Sequence, residues 1–422
     1  MSKINFSESL FSLGGVEKEF FDWNTFILTV VLSAAGLVSI YSATYESNMS
    51  SFFYKQIVAT ALGFGGMLAV TFLPERVLRW GSFFVYAASI ILLVLVLIIG
   101  EKVYGTQGWI NFGGFTLQPA EVSKVGVLML LAQYLSRKGV DVRTLRDLAV
   151  CAAIVGVPAL LIISQPDHGS ASVLGAMTLG VIFWAGFESL ILLFIIALPI
   201  VVILSLKGFW AFLIGWAAIS FVVVLMKKRI TWTVGVIAIL FAIGFGSQMI
   251  YENLNMMEHQ RARIETFINP GANPRGAGYN VIQSLMAVGS GGFSGKGYLQ
   301  GTQTQLRYIP MQWTDFIFSV PTEEFGFLGG VIVILLVFGL IMRSVKIASL
   351  VESRFSSLVS IGVGSIFLYH ALINIGMAIG IMPVMGIPLP LMSYGGTSMV
   401  VNLTMIGLLL NGYRNYLRKR LV

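Results

Sequence analysis

Twelve apolar windows, each long enough to cross a bilayer as a helix, take up most of this chain. They lie at residues 25–44, 54–73, 79–99, 119–136, 148–164, 170–186, 188–206, 208–226, 231–249, 318–342, 357–380 and 397–412. A hydrocarbon core needs about 20 consecutive apolar residues of helix to span it. The sequence therefore predicts an all-α polytopic membrane protein with about 12 transmembrane helices and one long extracytoplasmic loop. Composition agrees: 56% of residues are hydrophobic and 11% charged, where a soluble domain carries about a quarter charged. The least regular stretch is 186–210, where only Glu188 and Lys207 mark two tight hairpins; a re-entrant pair is the alternative there.

The net charge of +8 is not a nucleic-acid signal, because the basic residues fall in short clusters between windows. These are Arg76 and Arg79; Arg137, Lys138, Arg143 and Arg146; Lys227, Lys228 and Arg229; Arg343, Lys346 and Arg354; and Arg414, Arg418, Lys419 and Arg420. Clusters of this kind beside span ends follow the positive-inside pattern. Placing both termini in the cytoplasm puts all of them inside. The expected organisation is a cytoplasmic segment 1–23, a first transmembrane bundle 24–249, a large extracytoplasmic loop 250–317, a C-terminal bundle 318–413 and a basic tail 414–422. Residues 1–23 lack the short apolar core and cleavage site of a secretory signal, so insertion is expected to depend on the first span. The single cysteine, Cys151, lies in an apolar run and gives no disulfide framework.

Four tracts then fall outside, and the unusual residues collect in them. The first runs from Trp109 to Gln118-Pro119-Ala120-Glu121 and Lys124. Pro119 suits the first turn of a helix, and Glu121 and Lys124, three apart, share a face. Near a bilayer centre each charge costs about 2.5–3.5 kcal/mol, so the two should pair or face an interior cavity; a structural ion pair at the membrane edge is the plainer reading. In the second tract, Gln165-Pro166-Asp167-His168-Gly169, Asp167 is either a helix cap or a site residue, and His168 is a bystander. The third, 250–317, combines Arg261, Arg263, Lys296 and Gln303 with a glycine run at 289–301, and closes on Trp313-Thr314-Asp315-Phe316. Its glycines permit close backbone approach to a ligand, and its basic residues suit an anionic one. The fourth, Gly380–Thr397, holds three prolines and four glycines, so it is not a continuous helix. Non-helical backbone at membrane depth must be buried in protein or line a cavity. His370 and Asn374, four apart on the preceding span, point to the same polar interior.

These pieces, in this order, resemble the SEDS (shape, elongation, division, sporulation) family of bacterial peptidoglycan glycosyltransferases. The matching residues are Gln118–Glu121 with Lys124, Gln165-Pro166-Asp167 with Gly169, Asn269-Pro270 through Gly278-Tyr279, Gln283-Ser284 with Gly289–Gly292, Thr314–Phe318 with Glu323-Glu324, and Gly386–Pro390 with Ser393–Gly396. Gly301-Thr302-Gln303 with Leu306 is more similar to the elongation branch than to the division branch. The resemblance implies a glycan-strand polymerase of the inner membrane, needed for rod shape and cell-wall synthesis. It would transfer the growing glycan from its polyprenyl pyrophosphate carrier to lipid II, alongside a class B penicillin-binding protein transpeptidase. The family's essential loop aspartate corresponds to Asp315, and Trp109, Glu121 and Lys124 match positions treated as functional. Three departures stand out: Gly108 replaces the usual basic residue before Trp109, Pro321-Thr322 precedes Glu323-Glu324, and two spans within about 188–249 exceed the usual ten.

On this reading Asp315 is the catalytic base, or holds a divalent cation (Mg or Mn) against the pyrophosphate. The alternative is that it caps the helix that follows. Lys124, Arg261, Arg263 and Lys296 are candidate anion contacts, and Trp109, Glu121, Asp167, Gln303 and Ser393 complete the candidate substrate set. The competing classes are a lipid II flippase or other transporter with broken helices around a midplane site, a non-catalytic scaffold, and a division-specific polymerase.

Overall fold

The apolar windows fold as helices in the computed structural model, which describes residues 21–45, 50–103, 106–113, 115–228, 230–253 and 278–421. In chain order these are α1 (Trp23–Thr44), α2 (Ser50–Phe72), α3 (Glu75–Ile99), α4 (Pro119–Leu135), α5 (Leu145–Ile163), α6 (His168–Trp184), α7 (Ser189–Lys207), α8 (Phe209–Leu225) and α9 (Ile230–Asn253). Three shorter helices follow, α10 (Tyr279–Ser290), α11 (Thr302–Gln305) and α12 (Ser319–Glu324), and then α13 (Gly326–Leu350), α14 (Arg354–Ala378) and α15 (Gly396–Leu421). Among the described residues, twelve helices thus occupy the twelve windows. Eight are long and apolar enough to cross a membrane, and α6 and α8 are apolar but shorter. The remaining two, α4 and α15, are interior helices.

Two expectations need adjusting. The first outer tract carries a small antiparallel sheet, β1 (Glu101–Val103), β2 (Thr106–Phe112) and β3 (Phe115–Leu117), paired in the order β1-β2-β3. Ile110 pairs with Leu117 and Phe112 with Phe115. Its alternation is too short to stand out between two long apolar windows. The window at 318–342 is not one helix: α12 ends at Phe325, and Gly326, at φ +66°, turns the chain into α13. That left-handed backbone is open to glycine at little cost.

The chain divides into two compact units, Met1–Trp184 with Gln283–Val422, and Ala185–Ile282. In the first, α15 lies along α2, α3 along α4, and α14 against α13, α6 and α4. Burial sorts these helices by role. Thirteen of 17 residues of α4 are buried and 17 of 25 in α14, against five of 25 in α3. A helix shielded from lipid can carry polar side chains; one facing lipid cannot. Lys124 and Glu121 ride on α4, His370 and Asn374 on α14. Small residues let the helices close up: a Cβ on Gly362 would sit 2.2 Å from Leu128 Cδ1, and one on Gly126 3.0 Å from the Tyr86 backbone. At the other end of the bundle, Arg343 pairs with buried Asp22 at 2.6 Å, joining α13 to the start of α1.

The second unit holds α7, α8 and α9. Ala197, Val201, Phe212 and Leu240 form its core, with Phe194, Trp216 and Phe241 packed around them. The Trp216 indole N–H donates to the Ile237 carbonyl at 3.0 Å, and Glu188 pairs with Lys228 at 2.6 Å. Gly208, at φ +133°, makes the tight turn between α7 and α8, helices of 19 and 17 residues.

Candidate active site

Asp315 lies in the run of turns that precedes α12, half-buried. The residue that heads α12 is Phe318, with no side-chain cap, so the aspartate does not serve that helix. Instead its backbone is held from behind. Asn374 Nδ2 donates to the Asp315 carbonyl and to the Ile387 carbonyl, both at 2.8 Å. Ser393 Oγ donates to the Thr314 carbonyl at 2.6 Å while accepting from the Leu389 N–H at 2.8 Å. The Tyr394 N–H donates to the Trp313 carbonyl at 2.8 Å. The Gly380–Thr397 tract is thus a cradle for residues 313–315, which accounts for its non-helical backbone. Gln56 completes it from α2, accepting from the Gly395 N–H at 3.0 Å and donating to the Ser393 carbonyl at 3.4 Å.

The carboxylate itself has no hydrogen-bond partner among the described residues. Its Oδ2 faces Gly386, where an added Cβ would lie 3.8 Å away. Burial pushes the Asp315 carboxyl up to about 6, because removing water disfavours the charged form.

Behind the cradle, Lys124 Nζ pairs with Glu121 Oε1 at 2.7 Å, with both side chains about as buried as any in the protein (1% and 2% exposed). Lys124 also meets His370 Nε2 at 3.3 Å, and His370 Nδ1 lies 2.8 Å from the Pro388 carbonyl. The two charges pair with each other in the protein interior, tied to the fourth tract through His370. Glu121 Oε2 has no partner among the described residues.

Asp167 caps α6, accepting from the Ser170 N–H at 2.9 Å and Ser170 Oγ at 2.7 Å. It also accepts from Gln118 Nε2 at 3.4 Å, linking the first two tracts. The turn it heads abuts the fourth tract: a Cβ on Gly169 would sit 2.5 Å from the Met385 carbonyl oxygen. Trp109 is half-buried on β2, whose Gln107 N–H donates to the Gln165 carbonyl at 3.3 Å.

Lys296 and Gln303 belong to a different cluster, centred on fully buried Glu323. Its carboxylate accepts from Lys296 Nζ at 2.7 Å, Thr302 Oγ at 3.3 Å, Gln303 N at 2.9 Å, Thr304 N at 2.9 Å and Thr304 Oγ at 2.6 Å. Glu324 accepts from the Ser42 hydroxyl and from Leu299 N at 3.2 Å. The glycine run serves this arrangement. Cβ atoms on Gly291 and Gly295 would lie 2.0 Å from the carbonyl oxygens of Thr322 and Glu324. The close approach expected for a ligand is made by the chain's own backbone. Arg261 and Arg263 lie outside the described residues. Among those described, no three His, Cys, Asp or Glu side chains converge as a metal site.

The residues singled out from sequence therefore divide. Asp315, Ser393, Lys124, Glu121 and Asp167 join one network through tracts one, two and four; Lys296 and Gln303 join another. Gln56, Asn374 and His370 were absent from the candidate set, although a lone Gln in the second window and the His370–Asn374 pair were visible signals.

The chain matches the family model described as "Cell cycle protein" (FtsW, RodA and SpoVE) over residues 22–214 and 213–416. It is 32% identical to the peptidoglycan glycosyltransferase RodA of Treponema pallidum, over 93% of this chain and 97% of that one. It is likewise 32% identical to the peptidoglycan glycosyltransferase MrdB of Escherichia coli K12, over 91% of each. A chain of the structure described as "Structural coordination of polymerization and crosslinking by a peptidoglycan synthase complex" superposes with a TM-score of 0.70 at 26% identity, covering 94% of this chain and 98% of that one. On the sequence match and the shared fold together, this chain belongs to the FtsW/RodA/SpoVE family of membrane proteins.

Proposed function

We propose that this chain is the peptidoglycan glycosyltransferase of an elongation machinery, with Asp315 as its general base. A hydroxyl of lipid II attacks the anomeric carbon of the growing strand. The new glycosidic bond forms as the bond to the polyprenyl pyrophosphate breaks, and the hydroxyl proton passes to Asp315. A hydroxyl is a weak nucleophile at neutral pH, and a placed carboxylate contributes about 10²–10⁴-fold. The observation that carries this reading is a desolvated carboxylate, without a partner among the described residues, on a backbone fixed by Asn374 and Ser393. A base poised near pH 6 is largely ionised at pH 7 yet still basic enough to take a proton.

A lipid-borne substrate needs an apolar channel beside the polar site. A groove of about 400 Å³ between α13 and α14 is lined by Val337, Phe338, Leu372 and Ile375, and by Ile381 and Met382 of the cradle tract. The basic clusters support cytoplasmic termini and an outward-facing site. Arg261 and Arg263, outside the described residues, remain the proposed contacts to the pyrophosphate region, with Trp109 and Asp167 at its borders; Lys124 is enclosed by Glu121 and His370, and Gln303 sits with Glu323. A class B penicillin-binding protein is the proposed crosslinking partner, supported by the synthase complex among the similar structures. Asp315 alone is too few ligands for a protein-held metal, but Mg²⁺ is commonly held by one or two carboxylates together with substrate phosphates. A divalent cation bound there would neutralise the departing pyrophosphate.

Purified protein in detergent, given lipid II, should build glycan strands. Detergent removes the compartments that a flippase needs, so absence of any product under those conditions, with or without the transpeptidase, would overturn the reading.

A further inference from the structure

The cradle is pinned from α14 at two adjacent carbonyls by two side chains one turn apart. Asn374 takes the Ile387 carbonyl and, with its second N–H, the carbonyl of Asp315. His370 takes the Pro388 carbonyl. A proline carbonyl only accepts, so the ring proton must sit on Nδ1. Nε2 is then a lone pair and accepts from the Lys124 ammonium 3.3 Å away. A doubly protonated ring would place two cations side by side in a buried site with one carboxylate, Glu121, to balance them. The imidazole is thus neutral, with one tautomer selected by its two neighbours.

We propose that His370 is a positioning residue for Asp315: its Nδ1–H fixes Pro388, and with it the Gly386–Pro388 backbone that faces the aspartate. Lys124 enforces the tautomer that makes this donation, so the Glu121–Lys124 pair acts on the site through the ring. Loss of the donation frees the Pro388 carbonyl and loosens the wall against Asp315 Oδ2, while the groove for the lipid chain stays intact. This inference rests on the reading of Asp315 as the base.

The two nitrogens can be tested separately. An Asn side chain places its amide N–H near Nδ1, and a Gln side chain places its amide near Nε2. Lipid II polymerisation by purified His370→Leu, His370→Asn and His370→Gln proteins is compared with wild type and Asp315→Asn, with thermal unfolding of each recorded. The expected result is a fall in kcat of about 10²-fold for His370→Leu, the scale of a misplaced catalytic group. KM for lipid II should stay within about twofold, His370→Asn should recover most of the rate, and His370→Gln should not. Equal loss in the Asn and Gln variants, both folded, overturns the proposal, as does a wild-type kcat in His370→Leu. If Asp315→Asn is itself fully active, the underlying reading fails first and takes this one with it.

Discussion

Asn374 donates one N–H to the carbonyl of Asp315 and the other to the carbonyl of Ile387, each at 2.8 Å, so one amide joins the loop that carries the aspartate to the tract that faces it. Residues 59 and 13 positions away in sequence thereby become neighbours on one side chain.

Removing that amide leaves two carbonyls without their donors. Asn374→Ala is expected to cost about 1–3 kcal/mol in stability, the usual penalty for orphaned buried groups, and to lower kcat by about tenfold or more as the Asp315 backbone drifts. Asn374→Asp should be worse than Asn374→Ala in both respects, since it turns an acceptor on two acceptors. Thermal unfolding in detergent and initial polymerisation rates measure the two effects.

Burial raises the Asp315 carboxyl to about 6 from an ordinary 3.8. As a base it must be ionised, so kcat should climb with pH through about 6 and level off above it. The stability consequence has the opposite sense. A raised folded-state value means the folded protein holds the proton more tightly than the unfolded chain does. The stabilisation is complete below about pH 4 and is lost as pH rises through 6. Asp315→Asn should therefore be more stable than wild type at pH 7.5, by about 1–2 kcal/mol once its partial exposure is allowed for. The difference should vanish near pH 4. Paired melting curves across that range provide the check.

Glu121 and Lys124 form a pair with almost no access to solvent. Truncating either one strands the other's charge, and Lys124→Met or Glu121→Leu alone should each cost about 3–5 kcal/mol. The double substitution should be less damaging to stability than the sum of the two, and both singles should lose activity. A double-mutant cycle on unfolding free energy reads the coupling directly.

Five donors converge on Glu323 from residues 296–304. Glu323→Ala should release that whole segment from α12, whereas Lys296→Ala removes a single donor and should be the milder change by about 1–2 kcal/mol or more. Protease accessibility of residues 290–305, measured in both variants, distinguishes them.

Were Asp315 instead to hold a divalent cation against the pyrophosphate, one further expectation would follow. Chelation with EDTA should abolish most polymerisation, and added Mg²⁺ or Mn²⁺ should restore it, without any change in the melting temperature of the protein alone. A melting temperature that fell on chelation would indicate a protein-held metal instead.

The spans were legible because each window is long and mostly apolar, and a polar interior beside α4 was legible because Glu121 and Lys124 had to pair or face a cavity. The break at Phe325–Gly326 was missed although Pro321, Glu323, Glu324 and Gly326 interrupt the stretch; the window is apolar on average, whereas the turn rests on Gly326 at φ +66°. The glycine run at 289–301 read as a ligand cradle for a similar reason. Glycine density reports close approach but not what approaches, and here Thr322 and Glu324 do. Lys296 looked like a free cation because its partner, Glu323, lies 27 residues away across two turns. Asp315 could be singled out as an isolated acid at the edge of an apolar segment. His370 and Asn374 were legible as a polar pair on an apolar span, but what they hold needed the fold, because their partners include backbone carbonyls that no side-chain pattern announces.

The central claim is that Asp315 takes the proton in glycan transfer. Turnover of lipid II by purified Asp315→Asn protein, at saturating substrate and pH 7.5, tests it most directly: the expected kcat is about 10²–10⁴-fold below wild type with the protein folded and at least as stable. Wild-type turnover by that folded variant would contradict it.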